Sequence, residues 1–152
     1  MDKVLQNERR DIIVMEIDSY LNQKSQYGDK MGNLNESQIT FLIIENLERE
    51  INNGGFNQFY WNSSGDYANE TAEALEKIGA KKTAGIVKKA NSEFNNGIVP
   101  QDKDKRYAAL EKIEEKAREN WKNCNAQFYK YEDNITELLI AFVLNNHADF
   151  EK

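Results

Sequence analysis

Apolar side chains recur three and four residues apart along most of the chain, and alternating Val, Ile or Thr runs bounded by turn residues are absent. That period predicts an all-α protein. A first helix is expected from about Lys3 to Leu21, with Ile13, Ile17 and Tyr20/Leu21 inward and Glu8, Asp11 and Asp18 outward. Asn22 to Asn35, holding Gly28 and Gly32, reads as a loop. The second helix begins at Asn35, which can cap it with Gln38 three residues on. Ile39, Phe41, Leu42, Ile43, Ile44, Leu47 and Ile51 make it apolar on nearly every side of its first half, so it should be central and buried. It is expected to stop at Asn52-Asn53-Gly54-Gly55, because glycine after a helix takes the left-handed conformation at no steric cost.

A short aromatic segment, Phe56 to Trp61, then meets Asn62-Ser63-Ser64-Gly65-Asp66. Asp66 is expected to cap a helix through Ala68, Thr71, Leu75 and Ile78 to Gly79. Another helix should span Lys81 to Phe94. Gly97 and Pro100 mark a turn before a helix capped by Asp102, with Tyr107, Leu110, Ile113, Ala117 and Trp121 inward. The last helix is expected from Asn134, with Glu137 completing a capping box, to about His147. The pattern therefore predicts one domain over residues 1–152, a single compact bundle of about six to seven helices.

Composition supports a modest core: Leu, Ile, Val and Phe supply 35 of 152 residues, about 23 %, just above the ~20 % below which chains tend to stay disordered. Cys124 is alone, so no intrachain disulfide can form, and no Cys/His ligand spacing surrounds it. The only apolar run in the first fifteen residues, Ile12 to Met15, is too short for a secretory signal, and Ile135 to Leu144 falls far below the ~18 residues of a membrane span. A cytoplasmic protein with no membrane contact is expected.

Candidate chemistry is sparse. His147 falls at a helix end, where an imidazolium suits the helix dipole, and Cys124 has no identifiable base. Paired acids such as Asp102/Asp104, Glu114/Glu115 and Glu132/Asp133, one or two residues apart, split across helix faces. No phosphate loop, zinc-protease helix or dinucleotide fingerprint is present. The reading is no enzyme: no catalytic residue, no metal and no cofactor. The densest signal is Asn53 to Asp66. As scaffold, its Gly pair turns the chain, Phe56 and Phe59 fill the core, and Asn62, Ser63 or Asp66 satisfies amides of the next helix. As a site, the Asn53-Gly54-Gly55-Phe56 corner could offer freed amides to an anion or small ligand, although Asp66 would repel an anion and no Lys or Arg lies in the segment.

This corner, with its spacing to Ala72, Leu75, Ile78-Gly79-Ala80, Ala84, Ile86-Val87, Ala90 and Phe94 and the later run Tyr131 to Phe142, resembles the bacterial DNA-mimic protein family. The likeness covers roughly Ile39 to Phe150. Asn53, Gly54, Gly55, Phe56, Gln58, Phe59, Asn62, Ser63 and Gly65 carry it, and they mark a structural corner. The resemblance implies a non-enzymatic, all-helical homodimer. Its acidic surface would imitate duplex DNA and occupy a basic partner, a DNA-binding transcription factor.

Charge qualifies that expectation. The net −6 combines −8 over residues 1–76, +6 over 77–130 and −4 over 131–152. The total disfavours direct nucleic-acid binding. The middle third departs from a uniformly acidic mimic, with Lys77, Lys81, Lys82, Lys88, Lys89, Lys103, Lys105 and Arg106, and could itself meet an acidic partner. A compact chain of this length is about 40 Å across, and duplex DNA of that length carries about 24 charges, so one chain can imitate at best half a site. The foremost candidate row is Asp66, Glu70 and Glu73, with Glu76 beside it, at i, i+4 and i+7 on one helix face. Glu8, Asp11 and Asp18 make a second row, and Glu45 with Glu48 a third.

Overall fold

The computed structural model describes residues 1–151, and among them it is all-helical, without a strand. The helices are α1 (Asp2–Leu5), α2 (Arg10–Lys24), α3 (Glu36–Trp61), α4 (Ala68–Lys77), α5 (Lys81–Asn91), α6 (Lys103–Phe128), α7 (Ile135–Asn145) and α8 (His147–Phe150). Six of the eight are longer than one turn, in keeping with the expected bundle. α3 is the axis, and it packs against α2, α4, α6 and α8. Its buried Phe41, Leu42, Ile44, Leu47 and Ile51 explain why no side of its first half is polar.

Several boundaries differ from the expectation. Residues 6–9 break the first helix, so α2 starts only at Arg10. α3 does not stop at Asn52 to Gly55. Gly55 takes φ 78°, ψ −170°, a region that only glycine tolerates, and the helix resumes through Phe56 to Trp61 behind this kink. α5 closes at Asn91, and Phe94 reaches the core from the following turn. Asp66 does not cap α4. It lies in a 3-10 turn, Ser63–Tyr67, and no side chain caps that helix. Asn134 does accept from the Glu137 amide, but the Glu137 carboxylate leaves the box to hold Arg10 at 2.9 Å. α7 ends at Asn145, and His147 instead opens α8, where its ring meets Asp2 and Glu151.

The caps of the two longest helices form as the sequence implies. Asn35 and Gln38 make a reciprocal capping box on α3, and Asp102 accepts from the Lys105 amide on α6. Behind the kink, Phe56, Phe59 and Tyr60 join Phe94 and Trp121 in an aromatic cluster, with neighbouring ring centres 4.8 to 6.3 Å apart. The buried polar tips of that cluster are paired: Tyr60 donates to Asn91 Oδ1 at 2.6 Å, and Trp121 donates to the Ala90 carbonyl at 3.0 Å. Cys124 is fully buried, and burial pushes its thiol up, away from reactivity.

Candidate partner-binding surface

The corner after the kink is a scaffold. Phe56 and Phe59 are wholly buried, and the amide that the kink frees, Phe56 N–H, donates to Asn125 Oδ1 at 2.9 Å. An anion at Gly54-Gly55 would find that donor taken. Glu50 gathers the far side by accepting from Gln58, Asn62 and Ser64 at 2.7, 2.9 and 3.1 Å. Gly65 allows the closest approach: a Cβ there would lie 2.9 Å from the carbonyl oxygens of both Phe59 and Tyr60. Asn53 and Ser63 stay exposed at its edges.

Arg106 locks this corner to α6. Its side chain has no exposure, yet every arm of the guanidinium is engaged. Nε donates to the Tyr60 carbonyl at 2.8 Å, Nη1 to the Pro100 and Gln101 carbonyls at 3.0 and 2.9 Å, and Nη2 to Asp66 at 2.6 Å. Two expectations change. Arg106 is not part of a basic surface, and Asp66 is not a free member of an acidic row. In sequence, only the spacing of Arg106 from the Asp102 cap, one helical turn, signals that it points back toward the preceding loop.

The remaining candidate acids divide by partner. Glu76 pairs with Lys88, Asp11 with Arg9, and Asp18 with Arg49 at 2.7 Å. Glu70 accepts from Gln101 through Oε1 at 2.7 Å. Glu8 and Glu73 are exposed and without a partner among the described residues. Glu8 stands before the start of α2, so the second row is not one helix face. In the third row burial, then Glu48 and Asp18, push the Glu45 carboxyl up to about 9, and burial raises Glu48 as well. Glu45 is therefore protonated at neutral pH.

What the structure assembles instead is an acidic patch across two helices. Glu70 and Glu73 of α4 share a recess with Glu36 of α3, and Glu73 also lines a second recess beside Glu76 and Lys88. Glu73 thus stands on the ridge between them. Lys77 reaches Glu36 at 2.6 Å, an exposed pair of the kind that contributes little and exchanges readily. The basic middle third is dispersed by such contacts: Lys77, Lys82 and Lys88 each lie against an acid from another part of the chain. Among the described residues no helix is long and apolar enough to cross a membrane, and no group of three or more His, Cys, Asp or Glu could hold a metal.

Comparison with protein families finds a match to a family described as DMP19-like protein, over residues 32–147. It begins a few residues before the expected likeness and ends at His147, so it takes in the whole corner and α3 to α7. Searches of curated proteins and of solved structures find no match.

Proposed function

The chain belongs to the DMP19-like family of DNA-mimic proteins, and on that premise we propose that it is a non-enzymatic mimic that occupies a DNA-binding protein through the acidic α4 patch. The observation that carries this reading is the family match, which spans the three-quarters of the chain containing the patch. The exposed carboxylates gathered around α4 support placing the contact there. Glu73, Glu70 and Glu76 remain its foremost residues, with Glu36 added, while Asp66 serves the scaffold. Glu8, Asp11 and Asp18 form at most a second contact, because two of them already hold arginines.

Mimicry requires exchange of a partner's basic side chains between DNA phosphate and these carboxylates. Exposed pairs such as Glu76–Lys88 can open for that exchange at a cost of roughly 0–1 kcal/mol. The test is capture of a DNA-binding protein from the native host on the immobilised chain, followed by elution with duplex DNA. Duplex should displace the partner, and so should about 1 M salt, where screening acts over about 3 Å. Glu73→Lys with Glu76→Lys should abolish capture. A partner that resists both duplex and charge reversal would remove the mimic reading.

A further inference from the structure

The recess between α3 and α4 has an apolar floor. Ile43 and Ala74 lie beneath it, 4 % and 3 % exposed, with half-buried Ile39 beside them. Glu70 and Glu73 stand on one side, and the Glu36–Lys77 pair closes an end. Its volume is about 290 Å³, below the roughly 300–1,000 Å³ of small-molecule sites, so it suits one side chain better than a ligand. Glu70 brings a carboxylate to the lining of the recess. Oε1 accepts from Gln101, whereas Oε2 is shut away from water with no hydrogen-bond partner among the described residues.

An apolar floor with carboxylates at its mouth is complementary to a long aliphatic stem ending in a cation. Arginine fits better than lysine. Glu70 and Glu73 are three residues apart on one helix, about 5–6 Å between Cβ atoms, and a guanidinium fork can donate to both where an ammonium offers a point charge. We infer that the α3/α4 recess is the anchor pocket for an arginine side chain of the basic partner, its stem on Ile39, Ile43 and Ala74 and its guanidinium on Glu70 and Glu73. This rests on the mimic reading and narrows it from a general acidic face to one specific insertion. Lys77, at the recess end, acts against the incoming charge and is restrained by Glu36.

The probe is a labelled nona-arginine peptide at low ionic strength, compared with a peptide of equal charge whose guanidinium groups sit on one-carbon stems. Nona-arginine should bind more tightly than the short-stem peptide. Glu70→Gln should weaken it by about tenfold, and Lys77→Gln should strengthen it. Glu119→Gln, the same charge change on the exposed face of α6 outside the recess, should leave it unchanged. Amide resonances of Ile39, Ile43 and Ala74 should move on titration, and Glu70→Gln should keep the native spectrum. Equal binding of the two peptides, or equal loss from Glu70→Gln and Glu119→Gln, would overturn the anchor while leaving a diffuse acidic mimic intact. No binding of either peptide at any ionic strength would count against the anchor and the mimic reading together.

Discussion

Arg106 and Asp66 show how one residue can change what a charge pattern means. The guanidinium is fully buried and spends four of its bonds on backbone carbonyls and the fifth on Asp66. Asp66→Asn leaves the carbonyls in place but removes the charge compensation, so a loss of about 1–3 kcal/mol is expected. Urea unfolding should show a lower midpoint at an unchanged slope, whereas Glu73→Gln should leave both unchanged. Charge reversal at Asp66 would therefore report on folding before it reported on binding. The sequence displays Asp66, Glu70 and Glu73 as equivalent members of a row, and nothing in their spacing reveals a buried arginine 40 positions away. Glu45 is the second such case. Its carboxyl is raised to about 9 in the folded chain by burial and by Glu48 and Asp18, against an ordinary value of 4.5. The folded state then holds a proton that the unfolded chain gives up. The stabilising effect is complete below about pH 4.5 and is lost as pH rises through 9, at no more than about 1.4 kcal/mol per pH unit. Thermal melts should fall across that window, and Glu45→Gln should flatten the slope; an unaltered slope would show that Glu45 is not the group responsible.

At the scale of elements, α3 was the most legible part of the chain in its first half and the least legible at its break. The Asn35–Gln38 box and the all-round apolar face follow from local rules, and the structure has both. Gly54-Gly55 correctly announces a conformation that glycine favours, but a pair of glycines does not say whether a helix ends or bends. Here the decision is tertiary: Asn125 from α6 takes the Phe56 amide, and the aromatic cluster holds Phe56, Phe59 and Tyr60 in a resumed helix. The same logic makes Gly65 more restrictive than its unremarkable place in a loop suggests. Gly65→Ala drives a methyl into two backbone carbonyls that cannot rotate away, and a loss of about 1–3 kcal/mol is expected. Asn35→Ala should cost about 1 kcal/mol by removing one half of the box. For a chain of this size each kilocalorie lowers the melting temperature by about 2–4 °C, so calorimetry can rank the two. A Gly65→Ala variant as stable as the parent would show that the corner can open without penalty.

For the whole molecule, charge that is segregated along the chain is interleaved in space. Lys77 and Lys88 lie against Glu36 and Glu76 on the very faces that the first half makes acidic, so the −12 of the two acidic segments is not available as a block. One chain presents its net −6, equivalent to about 10 Å of duplex at one charge per ~1.7 Å. That is enough for one local contact and too little for a binding site that spans both halves of a two-fold regulator, whose half-sites lie about 34 Å apart. A mimic of such a regulator must supply two copies of the α4 patch, most simply from a symmetric dimer, since a two-fold axis repeats a patch without further sequence. Light scattering of the purified complex should then give two chains for each two-fold partner, with Glu73→Lys in both chains releasing the partner and leaving the dimer intact. One chain silencing both halves of such a partner would require the acids elsewhere on the surface to act together, and Glu8, Asp29 and Glu111 would become the residues to reverse next.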